Sequence, residues 1–333
     1  NGGLFWHTAH YCDAGTSTHR SMSQTMSDKD DLAPGGGPGS GHNYTTGLLL
    51  YYYLTGDERA RNTVLSLADW VIGMDAGDQH LLGIVSSVAT GYATNTAEPD
   101  YYGPGRGAGN SISALLDGWS LSGQPRYMKK AEELILRTIH PEDDLETLDL
   151  TNAEMRWSYT IFLQSLGKYL RLQEQEGRCG TTYEFARQSL LHYARWMVAN
   201  ESIYLDRPDQ LEYPTETCAA QELRKGICLL VAARYARHPE CEQFRATAQR
   251  FFDEGWTKLM AFETRTYTRP LALALLLGPV EMCLTSQAST TQSPDAAIDE
   301  FDPGPQERFV AQKQLVRSSL RSPRGIARMI ACC

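Results

Sequence analysis

The chain lacks the short motifs that mark several common enzyme classes. No GxSxG, HExxH, EF-hand or phosphate-loop motif occurs in its 333 residues, and its eight cysteines include no CxxC pair. Scattered cysteines in a chain of this length are more often buried free thiols than a disulfide framework. The missing motifs therefore argue against acyl transfer and phosphoryl transfer.

Long apolar runs and an excess of positive charge are also missing. The longest aliphatic run, Leu271 to Leu277, is far shorter than the roughly 20 residues that cross a bilayer. The formal net charge is −9, whereas nucleic-acid binders draw their affinity from Lys and Arg on phosphates. We expect no nucleic-acid partner and no membrane span, and an acidic carbohydrate would need a local basic pocket.

The sequence leaves the cellular location and the oligomeric state open. The chain begins at Asn1, which is compatible with the earlier removal of an initiator or signal segment. Both a periplasmic and a cytoplasmic location agree with the composition.

What the chain does contain is a repeated helix hairpin. The stretch 41–60 holds an apolar helical segment, a Thr-Gly-Asp turn and the start of a second helix, and this pattern returns in 115–127 and more faintly in 227–241. Repeated helix hairpins predict a stacked or closed helical array. A closed array gathers the loops and helix starts of one rim around a common opening.

The apolar periodicity predicts an all-α protein. The expected helices span residues 43–55, 57–74, 80–92, 108–122, 125–138, 151–175, 181–199, 215–236, 239–261 and 268–282. We predict an (α/α)6 toroid, a complete or incomplete barrel of helix hairpins, within one domain of residues 1–284. This domain would open with a polar loop region, 1–41, and residues 285–333, rich in Ser, Thr, Gln, Asp and Pro, would form a loosely packed tail.

Two clusters of polar and aromatic residues lie near the beginning of the chain. In the first, Trp6, His7, His10 and Tyr11 could form a sugar site with aromatic stacking platforms, or the two histidines could join Asp13 in a metal site. The second cluster is His42 and Tyr44, which follow a glycine run at 34–41. That run is either a flexible linker or a loop that brings both side chains to a cleft.

Two further clusters lie along the predicted rim. The glycine-rich loop 98–110 carries Tyr101, Arg106 and Asn110, and is either an ordinary turn capped by Asn110 or part of a site. It lacks the Lys-Ser/Thr ending and the preceding strand of a nucleotide-binding loop. The last cluster spans two helices, and its members are Arg156, Trp157, Tyr159, Tyr213, Glu216 and Arg224.

The residues of this last cluster have two readings. Glu216 follows Pro214 and Thr215, so it is either a first-turn acid that favours the helix dipole or a catalytic group. Arg224 lies two turns further along the same helix face. Arg156 and Tyr159 are either site residues or buried structural partners.

Residues 41–60 resemble the catalytic toroid of the exo-rhamnogalacturonan-lyase-like family. In that family a His-containing loop leads into a Gly-Leu-Leu-x-Tyr-Tyr-x-Leu-Thr-Gly-Asp hairpin, which this chain matches from Gly47 to Asp57. The resemblance extends over about residues 41–75 and continues more weakly along 108–282. It implies an (α/α)6 toroid that acts on carbohydrate.

A weaker resemblance involves the start of the helix at 215. Glu216-Thr-Cys218 is similar to the Glu-Thr-Cys motif of zinc-dependent β-L-arabinofuranosidases, toroids whose zinc is held by one Glu and three Cys. This resemblance implies Glu216 and Cys218 as zinc ligands. We otherwise expect no cofactor, with zinc or calcium as the alternative.

These observations favour a polysaccharide lyase that cleaves a uronic-acid-containing glycan by β-elimination. Elimination needs a group that stabilises the enolate, a base for the C5 proton and an acid for the leaving oxygen. Arg106, Arg156 or Arg224 with Asn110 could serve as the first, and His42, Tyr44 or Tyr159 as the others. We expect His10, His42, Tyr44, Arg106, Arg156, Tyr159, Glu216 and Arg224 to line one rim cavity.

Two other functions remain open at this point. One is a glycoside hydrolase with two carboxylates drawn from Glu98, Asp100, Glu154, Glu212 and Glu216. The other is a non-catalytic helical scaffold that binds a glycan or a protein on a concave face.

Overall fold

The computed structural model is helical throughout the residues it describes. These are 41–76, 91, 93–94, 103–211, 214–263, 268–287, 301–307, 309–310 and 312–324, and none of them forms a strand. Their α-helices are α1 (Thr46–Thr55), α2 (Glu58–Ala76), α3 (Arg106–Ser122), α4 (Pro125–Thr138), α5 (Tyr159–Gln175), α6 (Thr181–Asn200), α7 (Glu216–Tyr235), α8 (Glu240–Ala261), α9 (Thr268–Gln287) and α10 (Gln312–Ser319). The expected all-α class is confirmed. The expected helix at 80–92 lies outside the described residues, apart from Gly91.

The chain divides into two compact units. Unit 1 comprises Asn1–Thr138 together with Glu307–Cys333, and unit 2 comprises Ile139–Gln306. The C-terminal segment joins unit 1 through Phe309, whose ring centroid lies 5.1 Å from the guanidinium carbon of Arg137. The division into a domain of residues 1–284 and a tail stays a prediction.

The hairpin repeat of the sequence is a repeat of structure within unit 1. Gly56 ends α1 and Gly123 ends α3, both in the left-handed conformation, with φ of 70° and 62°. Their N–H groups donate to the carbonyls of Tyr52 and Trp119, each at 2.7 Å. Glycine adopts this conformation without the strain that a Cβ atom brings, so it ends the helix and lets the next one begin within two residues.

Unit 1 is held together by apolar packing and by a buried ion cluster, the Asp75 cluster. The core includes Val64, Leu67 and Leu115, all fully buried. Beside it the Asp75 carboxylate pairs with Lys130 Nζ at 2.6 Å and with the Arg137 guanidinium. These pairs tie the end of α2 to α4, and both cations also reach the half-exposed Glu133.

Unit 2 is built around α7, which packs against α5, α6, α8 and α9. The consecutive helices α5, α6 and α7 alternate in direction, as contacts at two ends show. At one end, Lys225 and Tyr159 meet the residues that follow α6, and at the other, Glu174 near the end of α5 accepts from Tyr183 and Arg234. The starts of α5 and α7 therefore share one end of the unit, and Arg269 at the start of α9 lies there too, over the Trp157 ring.

The fifth helix begins later than its sequence predicts. Residues 153–158 form turns, and α5 starts at Tyr159 rather than at 151. Asn152 donates to the Asp149 carboxylate at 3.0 Å and accepts from the Met155 N–H at 3.1 Å. These local bonds compete with helical pairing, and Asp149 itself is left-handed with φ of 52°.

Helix α9 is the most apolar and least covered helix of unit 2. Leu275 is 78% exposed and Met282 is 74% exposed. Its window Arg269–Ser286 is long and apolar enough to cross a membrane by length and composition alone, with 17% of it buried.

Candidate functional site

The candidate site of unit 1 forms where residues 41–45 run along α3. The Asn110 amide donates to the Gly41 carbonyl at 2.7 Å, and the side chain of Arg106 lies against the same glycine. Further along, the Thr45 hydroxyl donates to the buried Asp117 carboxylate at 2.6 Å. The segment is therefore attached to α3 at both ends, and we call the residues His42, Tyr44, Arg106 and Asn110 the α3 cluster.

The α3 cluster combines an imidazole, a phenol and a guanidinium at one surface. The His42 and Tyr44 rings meet edge to face with centroids 5.8 Å apart, and Tyr44 is 52% exposed. Arg106 is the first residue of α3 and is half-buried. These are the group types that proton transfer beside a carboxylate requires.

Asn110 has a different structural role from the expected one. One of the two interpretations of the sequence made it an N-cap, but α3 begins at Arg106 with Gly105 as its cap. Asn110 lies in the second turn, is 8% exposed, and uses its amide to hold the Gly41 carbonyl. It thus positions the segment that carries His42.

The candidate site of unit 2 forms at the shared end of α5, α7 and α9. Trp157 lies in the turn before α5, and the guanidinium carbon of Arg269, near the start of α9, is 5.2 Å from its ring centroid. Arg156, next to Trp157, donates from Nε to the Leu148 carbonyl at 3.3 Å. Arg269 was not among the residues predicted from the sequence, although it is a charged residue at a helix start, the signal that identified other candidates.

Cys218, in the first turn of α7, lies between charged groups of this end. Burial raises the pKa of its thiol, Glu154 and Glu222 add to the rise, and Arg269 opposes it. The thiol is therefore protonated at neutral pH. Its electrostatic neighbours show that the turn before α5 and the start of α9 both lie near the start of α7.

Tyr159 and Glu201 belong to a buried polar network that we call the Lys225 cluster. The Lys225 ammonium is fully buried, and its Nζ lies 2.9 Å from Glu201, 3.1 Å from Glu222 and 2.7 Å from the Ser202 carbonyl. The Tyr159 hydroxyl donates to Glu201 at 2.5 Å. Burial, followed by the Glu201 charge, holds the pKa of Tyr159 well above its usual value.

The Lys225 cluster holds more carboxylates than cations. Burial raises the pKa of Glu222 to about 7, although Lys225 and the Tyr204 N–H oppose the rise. The ammonium also lies 3.3 Å from the Tyr204 ring centroid. Part of this network was visible in the sequence. Glu222 and Lys225 are oppositely charged and lie three residues apart, and the residues of the helix on either side of them are mostly apolar.

A small cleft reaches the Lys225 cluster at Glu201. It is lined by Thr151, Asn200, Glu201, Tyr204 and Gln210 among others, and its cavity volume is about 10 Å³. That is about the space of one water molecule. Glu201 is therefore reachable by water but not by a sugar ring.

The remaining candidates of unit 2 lie on α7. Glu216 begins the helix after the Thr215 cap, as predicted, and is 5% exposed. Arg224 donates to the Gln164 side chain at 3.1 Å. The bond of Arg224 to Gln164 and the bond of Tyr159 to Glu201 favour a structural role for these two side chains, which the sequence had left open.

Several candidates lie outside the described residues or in different units. The candidates outside the described residues are Trp6, His7, His10, Tyr11, Tyr101 and Tyr213, together with the carboxylates Glu98, Asp100 and Glu212. His42 lies in unit 1 and Glu216 in unit 2, so their convergence on one cavity stays a prediction. In the part of the chain that the structure describes, no group of three His, Cys, Asp or Glu side chains is placed to hold a metal ion.

Fold and sites define an all-helical protein with polar clusters at helix starts in each of its units. Comparison of the chain with protein-family models, with curated proteins and with solved structures finds no match.

Proposed function

We propose that this protein is a carbohydrate-active enzyme, a polysaccharide lyase that cleaves a uronic-acid-containing glycan by β-elimination. The observation that carries the proposal is the placement of His42 and Tyr44 on a segment attached to α3 beside Arg106. One hydrogen bond, from Asn110 to the Gly41 carbonyl, joins the proton-transfer groups to the helix that carries the cation.

Elimination assigns a role to three members of the α3 cluster, Arg106, His42 and Tyr44. Arg106 pairs with the uronate carboxylate and stabilises the enolate that forms when the C5 proton leaves. One of His42 and Tyr44 removes that proton, and the electron pair of the C–H bond passes into the enolate. That pair then forms the C4–C5 double bond as the C4–O bond breaks, and the other group protonates the departing oxygen.

The toroid is part of the same proposal. Support comes from the repeated helix, glycine, helix hairpins of unit 1 and from the alternating helices of unit 2. In such an architecture the helix starts of one rim are the natural place for a site. Within unit 2, Glu216, Arg156 and Trp157 lie at such a place, the shared end of α5, α7 and α9.

The test is an absorbance assay on a panel of uronate polysaccharides, since elimination creates a conjugated unsaturated uronate. We expect wild-type protein to produce this absorbance, and His42→Ala and Tyr44→Phe to lower kcat/KM by about 100-fold or more, the usual range for a lost acid or base. Tyr51→Phe is the matched control, because Tyr51 is 50% exposed on α1 and Tyr44 is 52% exposed. This control should retain full activity.

Three outcomes would contradict the proposal in different ways. No absorbance on any uronate polymer would remove the lyase function. New reducing ends without absorbance would favour the two-carboxylate hydrolase instead. Equal activities of Tyr44→Phe, His42→Ala and Tyr51→Phe would leave a lyase whose site is elsewhere.

A further inference from the structure

Arg269 differs from the other half-buried arginines of unit 2. The described half-buried arginines of this unit are Arg156, Arg187, Arg224, Arg234, Arg245 and Arg269. The first five each donate a hydrogen bond to a protein oxygen. Arg269 lies over the Trp157 ring, and no hydrogen bond or ion pair joins it to a described residue.

Burying part of a guanidinium that has no hydrogen-bonding partner in the protein costs free energy unless a ligand pairs with it. Its five N–H donors lose water on burial, and only a hydrogen-bonded partner offsets that loss. The planar fork of arginine matches the two oxygens of a carboxylate. Arg269 is therefore suited to an external anion rather than to a role in holding the fold.

The surroundings of Arg269 indicate what kind of anion. Trp157 is half-buried, so the indole ring offers an apolar face to the C–H groups of a sugar. Glu154, which is exposed, and Glu222 lie in the electrostatic surroundings of Cys218 together with Arg269. These acids disfavour a doubly charged phosphate more strongly than a singly charged carboxylate, and the exposed Glu154 can accept hydrogen bonds from sugar hydroxyls.

We propose that Arg269 and Trp157 form a subsite for one uronic-acid residue, in which the guanidinium pairs with the sugar carboxylate and the indole contacts the sugar ring. The inference deepens the proposed function, on which its choice of ligand rests. It concerns binding alone, and every residue it uses lies in unit 2.

Binding of uronate trisaccharides tests this subsite without any need for turnover. The ligands are galacturonate and glucuronate trisaccharides, and galactotriose is the matched neutral ligand of the former because a hydroxymethyl group replaces each carboxylate. Calorimetry gives Kd and tryptophan fluorescence gives the local signal. We expect at least one acidic trisaccharide to bind and galactotriose to bind at least 10-fold more weakly.

Variants identify the residues that bind the carboxylate. Arg269→Gln should weaken the acidic ligand by about 10- to 100-fold, the range for a lost charge-assisted pair, and leave the neutral one unchanged. Arg269→Lys should restore part of the loss, because it keeps the charge without the fork. Trp157→Phe should remove most of the fluorescence change.

Arg250→Gln is the matched control. Arg250 also lies over an aromatic ring, with its guanidinium carbon 5.0 Å from the centroid of Phe251, but that ring is buried and cannot meet a sugar. This control should bind as the wild type does. Thermal unfolding of every variant checks that the fold is kept.

The outcomes separate this inference from the lyase proposal. If neither acidic trisaccharide binds, or if Arg269→Gln binds them as tightly as the wild type, the subsite is refuted, whatever the absorbance assay shows. If binding depends on Arg269 but no unsaturated product forms from any polymer, the subsite stands and the lyase function fails.

Discussion

The two units each bury an ion cluster, and the two clusters are opposite in composition. In unit 1 the single carboxylate of Asp75 is shared by Lys130 and Arg137. In unit 2 the single ammonium of Lys225 is shared by Glu201 and Glu222. Among the buried groups the first cluster has more cations than carboxylates, because Glu133, which also reaches both cations, is half-exposed. The second cluster has the reverse.

This difference decides how each cluster responds to pH. Burial opposes ionisation of Asp75, but Arg137 and Lys130 outweigh it and lower the pKa of Asp75. Glu222 has only a share of one ammonium, and burial raises its pKa to about 7. The Asp75 cluster therefore stays charged across the neutral range, whereas the Lys225 cluster takes up or loses a proton within it.

The largest effect should come from removing the shared ammonium of unit 2. Lys225→Met leaves Glu201 and Glu222 buried without a cation in their cluster, and breaking a buried pair in this way costs about 3–5 kcal/mol. Urea unfolding at pH 8 should show that loss, and the loss should be smaller at pH 5, where the carboxyls can take up protons.

Lys130→Met in unit 1 is the control for the same chemical change. Asp75 keeps the Arg137 guanidinium there, so the expected cost is about 1–2 kcal/mol and nearly independent of pH between 5 and 8. Equal losses for the two lysine variants would show that the ratio of carboxylates to cations does not matter.

The next effect should come from removing the shared carboxylate of unit 1. Asp75→Asn leaves two buried cations with only the half-exposed Glu133, which predicts a loss of about 3 kcal/mol in the free energy of unfolding. Because the pKa of Asp75 is lowered, its contribution is present above the unfolded pKa of about 3.9 and is lost as pH falls below that value. The difference from wild type should therefore be constant between pH 5 and 8 in urea titrations, and a difference that changes in this window would contradict the lowered pKa.

The contrast between these clusters also shows what sequence can and cannot predict. Hairpin ends such as Thr55-Gly56-Asp57 follow from local chemistry, and both the glycine stop and the Asp57 bond to the Arg59 N–H at 2.9 Å are confirmed. The predicted helix boundaries were also close to the observed ones where an apolar stripe defines the helix. The predicted start of α5 was wrong because Asp149 and Asn152 hydrogen-bond to each other and Asn152 bonds to nearby backbone. The hydrophobic periodicity contains no information about such local bonds.

The candidate sites were predictable only in part. Helix-start logic identified Arg106 and Trp157, which the structure places beside Gly41 and Arg269. It could not distinguish an arginine that is hydrogen-bonded within the protein, such as Arg224, from one that is not, such as Arg269. The partner of Arg224, Gln164, lies 60 residues away in sequence. Long-range pairing of this kind exists only once the helices have packed.

A smaller effect should come from neutralising the raised acid of unit 2. In the folded state Glu222 binds a proton up to about pH 7, whereas in the unfolded chain it loses that proton near pH 4.3. Between these values the folded state binds more protons, so the contribution of Glu222 to stability falls as pH rises.

Glu222→Gln removes this penalty. Relative to wild type, the variant should gain about 1–3 kcal/mol in the free energy of unfolding between pH 5 and pH 8. Denaturant titrations at several pH values measure the difference. Asp75→Asn is the reference that should show no such slope, and a Glu222→Gln difference equally flat in pH would mean that Glu222 is ionised throughout.

The smallest effect concerns the two hairpin glycines of unit 1, whose surroundings are alike. Nothing lies within 4 Å of a Cβ atom built at Gly56 or at Gly123, so alanine at either position meets no clash and only the left-handed backbone penalises it. Gly56→Ala and Gly123→Ala should each cost about 1–2 kcal/mol, and the two losses should agree because φ is 70° and 62°. Thermal unfolding of the two variants measures the losses side by side. A much larger loss at Gly123 would mean that the α3 to α4 turn supports unit 1 through more than its backbone conformation, and the equivalence of the repeated hairpins would then be lost.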